Sequence, residues 1–342
     1  MGGSKPLVIS APEPRSLDLI FGPEARAELD RRYEIHETEA AGVASLEPEI
    51  LAAARYVVGQ PPLDRDALER MTELRCIFNV ESNLIDNMPY ELLFARGIHV
   101  VTTGAVFAEP VAELGLALAL NLARDVVDAD LAFREGRELW GGAGNRGALL
   151  LSGAEIGLVG YGDLGRALHR LLAGFRPKLR IHDPWLPPSI IREAGAVPAP
   201  LEEVLSASEF VFVVAAVTTE NRGFLGPEAF ASMRPGAAFV LLSRADVVDF
   251  DALMAAVRRG HIRAASDVFP EEPLPADHPV RRLPGFLRSA HRAGALDVAF
   301  RRMGDMVLED MDLIDRGLPP MRCKRAERET VSRMRSRPVT NN

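Results

Sequence analysis

The sequence predicts an α/β fold built from two blocks of parallel sheet, and three observations support this. Short apolar strands alternate with helical patterns along residues 6–120, which is typical of parallel sheets covered by helices. A second series of the same kind begins near residue 151. The length of 342 residues exceeds that of one ordinary domain. We therefore expect two α/β domains of similar design, joined by long helices.

The first block is predicted from its apolar periodicity. Apolar runs predict strands at 7–9, 56–58, 75–80 and 98–102. Helical spacing predicts helices at 23–32, 64–71 and 109–124. Residues 125–147 then turn polar and Gly-rich around an isolated Trp140. We expect this segment to leave the core and serve as an arm.

The second block follows the same pattern and ends in a long helix. Apolar runs predict strands at 156–159, 179–182, 210–215, 238–242, 264–268 and 287–290. Helices are predicted from residue 166, at 249–259 and, with an amphipathic pattern, at 296–316. The tail from Leu318 is Arg-rich and poor in apolar residues. We expect it to be poorly ordered unless a partner holds it.

Composition excludes several classes of function. A net charge of −8 argues against nucleic acid or an anionic membrane as the main partner. The two cysteines, Cys76 and Cys323, form neither a metal-ligand motif nor a disulfide framework, so no metal site is predicted. The apolar runs are too short to span a bilayer, and the N-terminal residues lack the pattern of a signal peptide. A cytoplasmic protein is expected.

One segment joins a predicted strand to a predicted helix through glycines. It reads Gly160-Tyr161-Gly162-Asp163-Leu164-Gly165. Gly160 allows a tight turn, Gly162 lets the backbone approach a pyrophosphate, and Gly165 lets the helix pack on the strand. The helix N-terminus offers free N–H groups and a partial positive charge to phosphates. We predict a dinucleotide-binding loop; the alternative is a Gly-rich strand–helix turn of another α/β protein.

An acidic residue follows this loop at the spacing that ribose recognition requires. Asp183 ends an apolar strand and lies about 20 residues after the fingerprint. A carboxylate there accepts hydrogen bonds from the ribose hydroxyls and repels the additional phosphate of NADP. The next residues are Pro184 and Trp185, so no arginine directly follows Asp183. NAD is the expected cofactor; the alternative is a solvated strand-end aspartate.

Three side chains suited to hydride-transfer chemistry follow predicted strands. His291 comes just after the last strand, and an imidazole exchanges protons near neutral pH. Arg244 follows the strand at 238–242, where a guanidinium can clamp a carboxylate. Glu272 lies in a Pro-bounded loop, where it can pair with an imidazole. Ligands gather at the carboxyl ends of parallel strands, so we predict that these three residues form one site. The alternative for His291 is a structural histidine at a strand end, with its hydrogen bonds satisfied within the protein.

Motifs between about residues 75 and 300 resemble those of a known family. In order they read LSGAEIGLVGYGDLGRAL, IHDP, TTENRGFLG, LLSRADVVDFDAL, AASDVFPEEPLP and SAH. Together they are similar to the D-isomer-specific 2-hydroxyacid dehydrogenases, which include D-3-phosphoglycerate dehydrogenase, glyoxylate/hydroxypyruvate reductases and formate dehydrogenase. The resemblance implies two Rossmann-like domains with doubly wound parallel sheets, usually in a homodimer. A substrate domain, 1–120 and 298–342, would contain an inserted NAD-binding domain, 121–297.

The resemblance also implies roles for the candidate catalytic residues. Arg244 would hold the substrate carboxylate and polarise the carbonyl group. His291 would be the general acid/base, and Glu272 would be the partner that favours its protonated form.

Further residues are expected to contact the cofactor. The resemblance implies that Asp163 and Leu164 offer pyrophosphate-binding N–H groups, and that Asp267 contacts the nicotinamide amide. Leu242 and Arg244, which lie at the same strand end, are also expected to contact the cofactor.

The loop after the strand at 75–80 departs from the family pattern. Family members usually have a Gly-rich loop there, whose backbone N–H groups cradle the substrate carboxylate. Here Val80, Glu81 and Ser82 occupy the loop, and Glu81 replaces a glycine with a bulkier, negatively charged residue. Ala245 and Ala290 also replace the usual glycine after the arginine and proline before the histidine. We expect the chemistry to be retained, with the substrate left open.

The resulting prediction is a cytoplasmic, homodimeric, NAD-dependent oxidoreductase that interconverts a D-2-hydroxy acid and a 2-oxo acid. Two alternatives remain open. A non-catalytic, NAD-sensing protein of the corepressor type would use the same fold to bind partners. A dehydrogenase of a small oxyanion such as formate would keep the enzyme and change the donor. Turnover of 2-oxo acids with NADH distinguishes the non-catalytic alternative from the prediction.

Overall fold

The computed structural model of this chain describes residues 5–81 and 84–333. Its contacts divide it into two compact units. Unit 1 comprises Met1–Phe107, Thr218–Glu220 and Ala295–Asn342, and unit 2 comprises Ala108–Val217 and Asn221–Gly294. The boundary expected at residue 120 falls inside a helix, Ala108–Arg124, that belongs wholly to unit 2 because it packs on that unit's sheet.

The described residues form strands and helices in regular alternation. The strands are β1 (Leu7–Ala11), β2 (Glu34–Glu37), β3 (Ala54–Gly59), β4 (Cys76–Asn79), β5 (His99–Thr102), β6 (Glu155–Val159), β7 (Lys178–His182), β8 (Val197–Pro198), β9 (Phe210–Val213), β10 (Ala238–Leu241), β11 (Arg263–Ser266), β12 (Phe286–Arg288) and β13 (Lys324–Arg325). The α-helices are α1 (Leu17–Ile20), α2 (Pro23–Arg32), α3 (Pro48–Ala53), α4 (Arg65–Arg70), α5 (Tyr90–Ala95), α6 (Ala108–Arg124), α7 (Val126–Arg134), α8 (Asp163–Leu172), α9 (Pro188–Glu193), α10 (Leu201–Ala207), α11 (Pro227–Ser232), α12 (Phe250–Arg258), α13 (Asp297–Asp315) and α14 (Arg328–Val331).

Unit 1 is a sheet with strand order β13-β5-β4-β3-β1-β2, parallel except for β13. Both faces of the sheet are covered. One core, with Tyr56 and Phe78, packs against α13, and the other, with Ile77 and Leu93, packs against α4 and α5. From β1 the chain first forms β2 on one side of this strand and then crosses back to form β3 on the other side. This reversal creates a switch point between β1 and β3.

Unit 2 is a fully parallel sheet with strand order β12-β11-β10-β9-β6-β7-β8. Its central strands are buried on both faces, which explains their continuous apolar sequences. The switch point lies between β6 and β9. The predicted α/β class with doubly wound parallel sheets is confirmed.

Local signals explain where several helices begin. Proline occupies the first turn of α2, α3, α9 and α11, where its missing N–H costs no hydrogen bond. The side chain of Asp64 accepts the Ala67 N–H at the start of α4, and that of Asp249 accepts the Ala252 N–H at the start of α12.

Of the two expectations for irregular segments, the one for the tail is corrected. The tail from Leu318 was expected to be poorly ordered, but up to Arg333 it carries β13 and α14. Its backbone is held by the buried carboxylate of Asp310, a long-range contact that composition does not reveal. Residues 125–147 contain α7, none of whose residues is buried, so this segment lies outside the core as expected.

One segment, Gly104–Arg124, is long and apolar enough to cross a membrane if only length and composition are considered. This finding corrects the expectation that every apolar run is too short to span a bilayer. Half of its apolar window is buried, and α6 packs against α8 and β10 within unit 2. The apolar character of α6 therefore reflects its place in the core.

Candidate active site

The Gly-rich loop leaves β6 in a conformation that requires two of its glycines. Gly160 has φ = +95°, and a Cβ there would lie 2.7 Å from the Cα of Ala215. A Cβ on Gly165 would lie 2.5 Å from the carbonyl oxygen of Gly160. Real Cβ atoms do not approach so closely, so a side chain at either position would displace α8 or the neighbouring loop. The turn and packing roles predicted for these glycines follow directly from this geometry.

Gly162 differs from these two because its surroundings are open. No heavy atom lies within 4 Å of the position that a Cβ would take. Gly162 is the N-cap of α8, and no side chain caps this helix end. Asp163 and Leu164 form the first turn, so their backbone N–H groups lie at the positive end of the helix. The chain thus offers a cradle that fits a pyrophosphate.

Asp183 lies beside this cradle, directly after β7. Its Oδ2 atom accepts the Tyr161 N–H at 2.7 Å, and its Oδ1 atom accepts the Trp185 N–H at 2.9 Å. These bonds fix the carboxylate next to the Gly-rich loop. Each carboxylate oxygen has a further lone pair, which can accept a ribose hydroxyl. The residues present therefore fit NAD, and the negative charge disfavours a 2′-phosphate.

A contact between Tyr161 and His169 links the Gly-rich loop to α8, and this contact was not predicted from the sequence. The Tyr161 hydroxyl and the Nδ1 atom of His169 are 2.8 Å apart, and the Arg166 guanidinium lies 4.8 Å from the centre of the tyrosine ring. Burial lowers the pKa of His169, which favours its neutral form. The spacing of Tyr161 and His169 across the start of α8 could have indicated this contact.

His291 and Glu272 form the closest pair of titratable groups in the candidate site. The Nδ1 atom of His291 lies 2.5 Å from Oε2 of Glu272, and Oε1 of Glu272 accepts the Phe269 N–H at 2.8 Å. Burial alone would raise the pKa of Glu272, but the hydrogen bonds from His291 and Phe269 and the charges of His291 and Arg244 hold this pKa below its ordinary value. Glu272 therefore stays ionised beside the imidazole.

The contact between His291 and Glu272 uses one imidazole nitrogen and leaves the other available for proton exchange with a substrate. Nδ1 of His291 is committed to Glu272, whereas Nε2 forms no hydrogen bond with any described residue. The side chain is 37% exposed, so a substrate can reach it. An imidazole oriented by a carboxylate at one nitrogen can exchange a proton at the other.

Asp267 holds the loop that presents His291. It is 1% exposed, and its two carboxylate oxygens accept the N–H groups of Arg292 and Ala293 at 3.1 Å each. Its carbonyl oxygen accepts the His291 N–H at 2.7 Å. These bonds support the left-handed conformation of His291, with φ = +49°. The predicted contact with nicotinamide stays a prediction, and the loop-supporting role was missed.

Arg244 follows β10 and lies close enough to Glu272 for its charge to lower that residue's pKa. Its Nη1 atom donates to the Ser243 carbonyl at 2.8 Å. Unit 2 therefore brings Arg244, Glu272 and His291 together at the carboxyl ends of neighbouring strands. Leu242, by contrast, is buried against α6, where a Cβ on Gly115 would lie 2.4 Å from the leucine's Cδ1 atom.

The predicted substrate loop belongs to unit 1. Val80 is buried, and the carboxylate of Glu81 forms an ion pair with Arg15. Ser82 lies outside the described residues. Among residues 5–81 and 84–333, no three His, Cys, Asp or Glu side chains come together as a metal site.

Comparisons with known proteins fit this geometry. The family model for the D-isomer specific 2-hydroxyacid dehydrogenase NAD binding domain matches residues 116–293. The glyoxylate reductase of Korarchaeum cryptofilum is 33% identical over 264 residues, 76% of this chain and 79% of that protein. The D-3-phosphoglycerate dehydrogenase of Mycobacterium leprae is 30% identical over 77% of this chain and 49% of that protein. The crystal structure of a phosphoglycerate oxidoreductase from Rhizobium etli is 70% identical, with a TM-score of 0.88 over 95% of this chain and 100% of that one.

Proposed function

The chain belongs to the D-isomer specific 2-hydroxyacid dehydrogenase family, and we propose that His291 is the general acid/base of its reaction, with Glu272 and Arg244 as its partners. The protein is thus an NAD-dependent dehydrogenase that interconverts a 2-hydroxy acid and a 2-oxo acid, as the sequence predicted. We assign nucleotide binding and the three catalytic side chains, including Arg244 for the substrate carboxylate, to unit 2, and a further part in substrate recognition to unit 1. The observation that carries the proposal is the 2.5 Å contact between His291 and Glu272.

The cofactor and the protein divide the chemistry between them. When bound, NADH supplies the hydride that reduces the carbonyl carbon of the substrate. The loop from Gly160 to Gly165 would hold its pyrophosphate, and Asp183 its adenosine ribose. Protonated His291 donates a proton from Nε2 to the substrate oxygen during reduction and accepts one there during oxidation. Glu272 favours the protonated imidazole because it stays ionised beside it.

Arg244 supplies the cation of the site. Its guanidinium binds the substrate carboxylate and stabilises the negative charge that develops on the carbonyl oxygen. Since one group performs both tasks, its loss affects substrate affinity and turnover together.

The relatives' names suggest which substrates to test first. We propose a short 2-oxo acid, such as glyoxylate, hydroxypyruvate or a phosphorylated analogue. The experiment is a screen of small and bulky 2-oxo acids in which NADH oxidation is followed by absorbance. Turnover with at least one of them is expected, and an inactive protein across the series would contradict the proposed catalytic roles. A formate-type donor is tested in the same screen in the oxidative direction with NAD.

Asp183 makes the choice of cofactor testable. We expect NADH to bind more than about tenfold tighter than NADPH, because a 2′-phosphate would lie next to the carboxylate. Asp183→Ser keeps an acceptor for the Tyr161 N–H and removes the charge. The difference in affinity between NADH and NADPH is therefore expected to become smaller. Fluorescence titration with both nucleotides measures it, with the exposed Asp246→Ser as the control. Equal binding of both nucleotides by the parent protein would refute the ribose role.

We also propose a homodimer, with unit 2 contributing the contact surface. Apolar side chains are exposed on α7 and the segment after it: Val126, Val127, Leu131, Phe133, Leu139, Trp140 and Leu150. Trp140 is 75% exposed, and its ring meets that of Phe133 at 6.4 Å. An apolar patch of this kind is typical of a protein–protein contact. Cys76 and Cys323 are buried and form no disulfide with each other, which fits the cytoplasmic location that we propose.

Light scattering at micromolar concentration tests the dimer. The parent protein is expected to have twice the mass of one chain, and Phe133→Ser combined with Trp140→Ser is expected to give a monomer. Trp185→Ser removes an exposed tryptophan elsewhere in unit 2 and is expected to leave the dimer intact. A monomeric parent would contradict the proposal.

A further inference from the structure

The loop of unit 2 that carries Glu272 is poor in backbone donors. Three of residues 270–277 are prolines, which have no backbone N–H to donate. On the side of the loop before Glu272, the Phe269 N–H donates to the Oε1 atom of this carboxylate at 2.8 Å. Side chains that donate to the carbonyl groups of the loop therefore matter more here than in a regular helix or strand.

Arg281 supplies two such bonds on the side of the loop that follows Glu272. Its Nε atom donates to the Pro275 carbonyl at 2.6 Å, and its Nη2 atom donates to the Leu274 carbonyl at 2.5 Å. Arg281 lies in a short 3₁₀-helix, Pro279–Arg282, from which its side chain reaches back along the chain. Hydrogen bonds from a charged donor are stronger than those between neutral groups. The guanidinium thus closes the loop two residues after Glu272.

A second arginine connects this 3₁₀-helix to the strand that leads to His291. Arg288 is the last residue of β12, and its Nε and Nη2 atoms donate to the carbonyls of Val280 and Leu283 at 2.5 Å each. Val280 and Leu283 are both buried in the core of unit 2. Since β12 ends three residues before His291, guanidinium–carbonyl bonds link the loop of Glu272 to the strand before the histidine.

The contact between His291 and Glu272 needs such a link because it joins residues 19 positions apart. A catalytic pair works only if its geometry is held to within about 0.5 Å. Asp267 holds the backbone on the histidine side. Phe269 and Arg281 hold the loop on the two sides of the glutamate. Loss of the Arg281 bonds would free one side of this loop and leave the histidine side in place.

We propose that Arg281 is a positioning residue for the reaction, because its bonds to the Leu274 and Pro275 carbonyls keep the Glu272 carboxylate against His291. This inference rests on the proposed function, in which His291 exchanges the proton beside Glu272. Arg281 acts through Glu272, since its own bonds go to backbone carbonyls. Its loss is therefore expected to lower turnover rather than substrate affinity, and to do so only while residue 272 is a glutamate.

The first experiment measures steady-state kinetics of 2-oxo acid reduction across pH for variants of Arg281. Arg281→Met keeps a long side chain and removes the donors. We expect it to lower kcat by about tenfold with KM within about threefold of the parent, since a misplaced group costs turnover. The alkaline limb of its pH profile is expected to move toward that of Glu272→Gln. Arg281→Lys keeps the charge and a donor, so its kcat is expected to lie between those of the parent and Arg281→Met.

The matched control is Arg282→Met, which removes the next arginine in the chain, an exposed residue. Its kcat is expected to stay within about twofold of the parent, because the bonds to the loop come from Arg281. Parent-like kcat and an unchanged pH profile in Arg281→Met would overturn the inference.

A double-mutant cycle with Glu272→Gln separates positioning from a general structural role. If Arg281 acts through the carboxylate, Arg281→Met lowers kcat by less than about twofold once residue 272 is a glutamine. Equal losses in both backgrounds would show that Arg281 only stabilises the unit, and would overturn the inference. If Arg281→Met does not fold, Arg281→Lys takes its place in the cycle, and either parent-like kcat or equal losses overturn the inference. An unchanged pH profile in Glu272→Gln alone would instead refute the proposed role of Glu272, on which the inference rests.

Discussion

Replacing His291 with alanine is expected to lower kcat for 2-oxo acid reduction by about 10²–10⁴-fold, the usual contribution of a positioned general acid. The affinity for NADH is expected to change little, because the Gly-rich loop and Asp183 belong to a different part of unit 2. His291 holds its imidazole against Glu272 at Nδ1 and leaves Nε2 for the substrate oxygen. Steady-state kinetics on the best substrate, together with an NADH titration, measures both quantities.

His278→Ala is the matched control for this variant. His278 also lies in a loop of unit 2, but its Nδ1 atom accepts the Val280 N–H and its ring meets that of Phe250, so its role is structural. Turnover by His278→Ala is expected to stay close to that of the parent. If His291→Ala kept parent-like turnover while folded, the acid/base assignment would be wrong.

Glu272→Gln separates the role of the pair from that of the histidine alone. The lowered pKa of Glu272 keeps its carboxylate ionised across the working range, and this charge favours the protonated imidazole. The glutamine retains an acceptor but removes the negative charge beside the proton donor. The alkaline limb of the reductive pH profile is therefore expected to move to lower pH. An unchanged profile would mean that Glu272 only holds the loop.

The parts of the site that follow from short stretches of sequence were predictable. The Gly160 turn, the strand-end position of Asp183, and the places of Arg244, Glu272 and His291 all depend on one strand and the loop after it. Parallel strands present their carboxyl ends at one edge, so separate local predictions could be combined into one site.

Features made by contacts between distant segments were not predictable. Asp267 supports the His291 loop through backbone N–H groups, and nothing in its own neighbourhood indicates which groups it meets. The edge strands β2 and β13 are short and polar, and β8 has only two residues, so all three lack the apolar runs that identify central strands. Arg15 likewise meets Glu81 only because β3 brings β1 and β4 to its two sides.

The tail after α13 is the clearest case of such a long-range effect. Asp310, on the inner face of α13, is 0% exposed and accepts three backbone N–H groups of the tail, from Met321 at 2.7 Å, Arg322 at 2.9 Å and Cys323 at 2.8 Å. These bonds direct the chain into β13, which pairs with β5. Burial and the neighbouring Asp310 raise the pKa of the Cys323 thiol, so this cysteine is unreactive while the tail is docked.

Asp310→Ala is expected to lower the free energy of unfolding by about 3–5 kcal/mol, because three hydrogen bonds to a charged acceptor are lost and the donors are left without a partner. Asp310→Asn keeps one acceptor oxygen and is expected to fall between the parent and the alanine variant. Asp305→Ala, on the exposed face of the same helix, is expected to leave stability nearly unchanged. Denaturant unfolding measures these differences in stability. Alkylation of the Cys76 and Cys323 thiols shows which part of the structure opens in the variants. Release of the tail would expose Cys323 while Cys76 stays buried in the sheet, whereas equal reactivity of both thiols, or of neither, would contradict a local anchor at Asp310.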